Sequence, residues 1–399
     1  MGDRLVGALD AHLPLGVTPR QRVWHLPRGA PLSSKAKRYR PPGELLTPPL
    51  PSIDVRSPVA TGAPSRHRSR LPPSTVRRIS IVSLVCVAAI LLSGAAVRLT
   101  GSGLGCSDWP TCTNGHLTPP LHYHSLIEFS NRMVTIVLVV VIGATFVATL
   151  LRRPFRRDLA WLSGGLIAGV LVEAVIGGIV VYSKLNPYLV MVHFLATVIL
   201  LVDAVVLVHR ASRDYSMPGQ VLVPRPVILL SRGLLVLVAV VLAAGAATTG
   251  AAPDGGSSQG QVIKRIPVPL RDMAELHSTL ALFLIGIVLS LAVLLHALSV
   301  PERIRKAARV LVVVLVLQAV VGYTQYFTHL PAALVEVHEL GATVLVIGVV
   351  QYFLALTHHN PEMAAGPLRV PGKARHVGDG TPRVESAPGA ATSAARVRS

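Results

Sequence analysis

The sequence is short of charge. Only 14% of its 399 residues are Asp, Glu, Lys or Arg, while 51% are hydrophobic and the mean hydropathy is +0.57. A soluble globular chain carries about 25% charged residues, so that class is excluded. Acidic residues are scarcer still, 19 against 38 basic ones, and the formal net charge is +19. No nucleic acid is needed to explain that excess, because it sits in the tails and in alternate loops. Cysteine is nearly absent, with three in the chain, which excludes a disulfide-built scaffold. Residues 1–77 lack both a hydrophobic period and the apolar core of a signal peptide.

What is present in quantity is the apolar run of about 20 residues, the length that spans a bilayer core as a helix. Eight occur, near 78–98, 126–151, 159–182, 187–208, 227–250, 273–297, 308–327 and 332–357. They predict an all-α polytopic membrane protein. Residues 1–77 and 358–399, rich in Pro, Arg and Ser, read as disordered basic tails. Arg152, Arg153, Arg156 and Arg157 follow the second run; Arg210, Arg213, Arg225 and Arg232 lie between the fourth and fifth; Arg303, Arg305, Lys306 and Arg309 follow the sixth. The loop Gly101–Ser125 has no Lys or Arg. The positive-inside rule then puts both termini in the cytoplasm of a cell-membrane protein, with Lys264, Arg265 and Arg271 as a mild dissent on the outer side.

The chain also repeats itself. Glu173–His193, EAVIGGIVVYSKLNPYLVMVH, aligns without a gap on Gln318–His338, QAVVGYTQYFTHLPAALVEVH. Gly177/Gly322, Leu185/Leu330 and His193/His338 coincide, and Gly94 and Gly245 fall in register at the ends of runs one and five. Four spans per half is an even number, so both halves enter the membrane in the same sense. The pattern predicts a parallel repeat of two four-helix bundles: 78–208 and 227–357, joined by a cytoplasmic linker at 209–226.

Each copy puts a histidine about two turns into a span. His193, His277 and His338 are three such rings, and the position of span two that corresponds to His277 is Asn131. All four lie about 4–8 residues below the outer surface, roughly 6–12 Å at the helical rise. An ionisable ring inside an apolar span points to function. Two level rings on facing helices are what a haem needs for axial ligation. A zinc site asks for three or four convergent ligands, which two separate halves do not pool. His116, His122 and His124 read as solvated loop residues, with His122 and His124 near enough to fold over the first site. His296, His358 and His359 fall at the opposite side.

Glu128 lies three residues before Asn131 and four before Arg132, on one helical face with both. It is either an ion pair that makes Arg132 tolerable at that depth or a carboxylate set beside a bound reactant. Half two has Ala274 and Ser278 at the matching positions, so an acid and a base occur in the first half alone. Glu173, opposite Gln318 in the repeat, reads as a structural hydrogen-bonding group. Asp203, Glu275, Glu336 and Glu339 lie in spans or at their edges. Cys86 reads as packing. Cys106 and Cys112 share the outer loop, where a disulfide is permitted.

VRLTGSGLGCSDWPTC at Val97–Cys112, IEFSNR at Ile127–Arg132, and His193, His277 and His338 together resemble the heme A synthase family, over about Ile79–Leu356. The resemblance implies a membrane oxidoreductase that oxidises a ring methyl of haem O to the formyl group of haem A, for terminal cytochrome oxidases. It implies a haem B cofactor in the C-terminal half with His277 and His338 as iron ligands. The substrate haem would lie in the N-terminal half at His193, Asn131 and Arg132, with Glu128 as the catalytic acid stabilising charge at the methyl carbon. It also implies a Cys106–Cys112 disulfide, redox-active or structural. Implied partners are haem O, the bilayer, a haem O synthase (farnesyltransferase), oxidase assembly factors, and a second copy of the chain. One departure stands out: the family pattern E-x-x-H-R reads Glu128-Phe129-Ser130-Asn131-Arg132 here. Asn is a poor iron ligand, so His193 is expected to be the single protein ligand of the substrate haem. The competing readings are a di-haem b-type electron carrier and, more distantly, a transporter with broken spans.

Overall fold

The computed structural model describes residues 71–213, 220–253, 256 and 263–358. The expected tails at 1–77 and 358–399 lie almost wholly outside the described residues, as does the middle of the 209–226 linker. The described residues form eight long helices: α1 (Pro73–Leu99), α2 (Tyr123–Leu151), α3 (Arg157–Tyr182), α4 (Pro187–Ala211), α5 (Arg225–Ala251), α6 (Leu270–Ala297), α7 (Glu302–Phe327) and α8 (Ala332–Ala355). All eight are long and apolar enough to cross a membrane. Proline sets where most of them begin. Pro72, Pro224, Pro269, Pro301 and Pro331 occupy the N-caps of α1, α5, α6, α7 and α8, and Pro187 opens α4 behind an Asn186 side-chain cap. A proline there loses no helical hydrogen bond and has its φ already set. One addition to the all-α expectation is a two-residue pair, β1 (Gln220–Val221) with β2 (Thr357–His358), antiparallel.

Helices α1–α4 form one ring of neighbours, α1 to α2 to α3 to α4 and back to α1; α5–α8 form a second in the same order. The rings meet where α4 packs on α5 and α8, and α1 on α8. Within each ring the second and fourth helices are diagonal, with no Cα pair within 8 Å among the described residues.

The repeat extends to backbone detail. In the α3–α4 turn Lys184 and Leu185 adopt φ of 53° and 57°; in the α7–α8 turn His329 and Leu330 adopt 62° and 60°. Leu185 N–H donates to Val180 O (3.0 Å), as Leu330 N–H does to Gln325 O (2.7 Å). Two successive left-handed non-glycine residues are uncommon. Finding the same pair 145 residues apart marks one ancestral hairpin used twice.

Burial is that of a membrane protein. Trp161, Val293, Ile199 and Val236 face outward at 66–79% exposure, an arrangement that lipid favours and water penalises. Inside, hydroxyls tie helices together: Ser83 with Thr145 (2.7 Å), Thr149 with Ser163 (2.9 Å) and Ser231 with Tyr352 (3.1 Å).

Candidate haem-binding sites and the outer loop

The second half brings two of the expected residues together. His277 is the eighth residue of α6 and His338 the seventh of α8, so the rings are level. Their centroids are 6.3 Å apart with planes at 78°. A metal about 2.0–2.1 Å from each of two imidazole nitrogens, each about 1.1 Å from its ring centroid, would separate the centroids by about 6.2–6.4 Å. The spacing therefore fits a pair of axial ligands. The ring chemistry fits as well. His277 Nδ1 lies 3.1 Å from the carbonyl of Val241; a carbonyl only accepts, so Nδ1 carries the hydrogen and Nε2 keeps its lone pair for a metal. His338 Nδ1 is buried without a hydrogen-bond partner. Among the described residues no three His, Cys, Asp or Glu side chains converge.

Glycine makes room for the rings. A Cβ on Gly245 would sit 3.0 Å from His277 Cε1, one on Gly322 would sit 3.2 Å from His338 Cε1, and one on Gly177 would sit 3.6 Å from His193 Cε1. On α5, α7 and α3 a glycine thus backs the histidine of the following helix. The sequence showed these glycines as matched repeat positions, and their role needed the neighbouring helix.

The first half is built differently. His193 is the seventh residue of α4, at the depth of His338 in α8. Its Nδ1 contacts the Glu173 carboxylate of α3; Glu173 is 11% and His193 40% exposed. Asn131, the ninth residue of α2, faces a different partner: Ser93 Oγ donates to its Oδ1 (2.7 Å). Ser93 and Asn131 line a cavity of about 300 Å³ between α1 and α2, walled by Ala96, Val97, Leu126 and Val134. Asn131 and His193 stand on diagonal helices.

Glu128 and Arg132 turn to the outer loop. Glu128, 5% exposed, accepts from Cys106 N–H through Oε2 (2.7 Å) and from Arg132 Nη2 through Oε1 (2.7 Å). Arg132 Nη1 also donates to the carbonyls of Asp108 (3.0 Å) and Thr111 (2.6 Å). Cys106 and Cys112 are joined in a disulfide and buried. The loop closes on α3 as well, where Tyr182 O–H donates to Trp109 O (2.7 Å) and the Trp109 ring lies over Gly178. Of the two readings of Glu128, the ion pair is present, and the carboxylate is anchored to the disulfide loop besides. His124 is held by Ser102 (3.1 Å) and His116 and His122 are exposed.

Comparison with known proteins adds the decisive observation. Residues 77–350 match the model of the COX15-CtaA family, described as cytochrome oxidase assembly protein. The chain belongs to this family. The match runs from the first turns of α1 to near the end of α8 and takes in every residue of both sites and the disulfide loop. The chain is similar to heme A synthase of Staphylococcus saprophyticus, 24% identical over 294 residues that cover 70% of this chain and 94% of that protein. It is 32% identical to heme A synthase of Bacillus pumilus over 147 residues, 35% of this chain and 47% of the relative. A shorter stretch of 106 residues is 32% identical to the Geobacillus kaustophilus heme A synthase, 26% and 32% of the two chains. For this COX15-CtaA member, the surprise lies in Glu173. Sequence alone gave it a structural hydrogen bond, and the fold sets it on the ring of a candidate ligand.

Proposed function

We propose that the protein is a heme A synthase, a multi-pass membrane oxidoreductase that converts a ring methyl of haem O to the formyl group of haem A. The observation that carries the reading is the level, 6.3 Å-spaced His277–His338 pair in a chain of the COX15-CtaA family. Helices α5–α8, within 227–357, hold haem B through these two rings. When bound, haem B supplies one-electron redox chemistry between an external donor and the substrate half. The glycines behind the rings fix their approach, and the Val241 carbonyl fixes the tautomer of His277.

Helices α1–α4, within 78–208, hold haem O. His193 reaches it from α4, and Asn131, tied to Ser93, leaves the opposite side without a strong protein ligand. Oxidising a methyl to a formyl group replaces two hydrogens by one oxygen and withdraws four electrons, so it needs an external oxidant and an oxygen source such as dioxygen or water. Two-electron withdrawal from the methyl carbon leaves positive charge there. A fixed carboxylate on the same side of the bundle stabilises that charge. Glu128 is the residue in this role, and Arg132 with the Cys106 amide holds it in orientation. The disulfide loop closes the outer end of the bundle and excludes water. Both termini lie on the cytoplasmic side and the loop on the opposite one. A haem O synthase (farnesyltransferase) is the metabolically adjacent partner.

The test is a reduced-minus-oxidised visible spectrum with pyridine extraction, on protein purified from cells that supply haem O. Haem B together with haem O or A, with haem B lost selectively in His338→Ala, is the expected result. Two copies of haem B and no haem O or A would mean a di-haem electron carrier instead.

A further inference from the structure

The two halves treat their fourth-helix histidines differently, and the reason is visible in four residues. In half two, Gln318 passes beneath the ring: its Nε2 donates to the backbone carbonyl of His338 (3.0 Å). It reaches that carbonyl across Gly341, where an added Cβ would lie 2.0 Å from Gln318 Oε1. The position three after the histidine must therefore be glycine for this route to exist. In half one the residue three after His193 is Ala196. Glu173, the counterpart of Gln318, has no N–H to give a backbone carbonyl when ionised, and its carboxylate lies instead against Nδ1 of the His193 ring.

A carboxylate accepts and does not donate when ionised, so its contact with Nδ1 of His193 favours the tautomer that carries the hydrogen there and leaves Nε2 bare. The three rings thus have three different neighbours at Nδ1: a hydrogen-bonded peptide carbonyl for His277, no hydrogen-bond partner for His338, and a carboxylate in ion-pair contact, without a formed hydrogen bond, for His193. A carboxylate partner raises the basicity of a metal-bound imidazole more than a carbonyl does, and such partners set the electron richness of the metal.

We propose that Glu173 is a positioning residue for the substrate half. It fixes the His193 ring with Nε2 towards the bound haem and makes it a stronger electron donor than either histidine of the other half. This rests on His193 being the ligand of the substrate haem. Glu173 serves the ring and not the backbone because an ionised carboxylate has no hydrogen to donate to a carbonyl.

The experiment uses the full-length chain in nanodiscs, loaded with haem O in cells, and compares wild type with Glu173→Gln and with Glu173→Gln/Ala196→Gly, which copies half two. Redox titration is expected to show one midpoint potential raised in Glu173→Gln and the other unchanged, with the ferrous iron–histidine stretch of the same haem lowered. The double variant is expected to behave as Glu173→Gln. Affinity for the substrate haem is expected to fall about 10- to 100-fold. Unchanged potential and stretch would overturn the inference and leave the proposed function standing. A second readout needs no haem: ¹⁵N-histidine spectra of haem-free protein, with His193 assigned by its loss in His193→Gln. The Nδ1–H tautomer is expected in wild type, giving way to a mixture in Glu173→Gln. The same tautomer population in both would overturn the inference even if haem is not retained. Failure of wild type to take up any haem in its first half would defeat the functional reading, and the ¹⁵N result would still decide the role of Glu173.

Discussion

The halves of this molecule share a backbone and differ in chemistry. Both have the same helix order, the same pair of left-handed turn residues and the same glycine-backed histidine on the fourth helix. Half two adds a second histidine on its second helix and nothing charged beside it, with Ala274 and Ser278 where half one has Glu128 and Arg132. Half one drops the second ring for Asn131 and gains Glu128, Arg132, Glu173 and a disulfide-bonded loop. One scaffold therefore yields a saturated two-ligand site and an asymmetric site with an acid. The first suits holding and electron transfer, the second a reaction on what is bound.

The largest expected effect comes from breaking the saturated half. His338→Ala leaves His277 without its partner ring, and the haem of half two is expected to be lost, with turnover abolished and the absorbance of half one retained. Activity and pyridine-extracted haem content are read on the same preparation. Haem B retained at wild-type stoichiometry would place it elsewhere and undo the division between halves.

Next is Glu128→Gln. Both carboxylate oxygens accept, from Cys106 N–H and from Arg132 Nη2, so the amide keeps one of these two contacts, sets an N–H donor against the other, and removes the charge. A fall in kcat of about 10²–10³-fold is expected, the size seen when one preorganised electrostatic group is removed. Binding of haem O is expected to change little. If turnover instead falls only in proportion to lost protein, Glu128 serves the loop alone. Arg132→Ala sharpens the point, because it leaves the acid buried with one partner fewer; removing one member of a buried pair costs about 3–5 kcal/mol. It is expected to lower thermal stability more than Glu128→Gln does.

A graded test of the shared scaffold uses its glycines. Replacing each by Ala adds one methyl behind one ring, at 3.0 Å for Gly245, 3.2 Å for Gly322 and 3.6 Å for Gly177. The first two distances force the ring or helix to give way, and the third is ordinary contact. Haem retention in half two is therefore expected to suffer most in Gly245→Ala, less in Gly322→Ala, while Gly177→Ala is nearly silent. Equal effects at all three would mean that the glycines serve helix packing in general.

Much of this was legible in the sequence because hydropathy and repetition are linear signals. Eight apolar runs become eight helices, since lipid leaves the backbone no other solution but a closed barrel, and the boundaries sit at prolines that are plain in the chain. The in-register histidines were equally visible. The partners of Glu173 and Glu128 were not. Spacing put Glu128 beside Arg132, and the loop that folds back to donate Cys106 N–H comes from 22 residues upstream. Glu173 and His193 are 20 residues apart on different helices, and only the packing of α3 on α4 brings them into contact.

The smallest expected effect tests whether the two rings of helices are held together by the same means. Ser83 and Thr145 join α1 to α2 in half one, and Ser231 and Tyr352 join α5 to α8 in half two, all four buried. Interhelical hydrogen bonds in membrane proteins contribute about 0.6 kcal/mol on average, because the separated helices find other partners in the bilayer. Thr145 already donates to Val141 O (2.8 Å), so Ser83 is the donor in the pair. Ser83→Ala therefore leaves Thr145 satisfied, and a loss of under about 1 kcal/mol is expected. Tyr352→Phe removes a hydroxyl from the most voluminous fully buried side chain of half two and leaves Ser231 without that partner, so its loss is expected to be the greater. Unfolding in mixed micelles by increasing dodecyl sulfate, followed by helix circular dichroism, measures both. A Ser83→Ala loss exceeding that of Tyr352→Phe would mean that half one leans on this hydroxyl pair more than half two leans on its own, and that the scaffold diverged along with its sites.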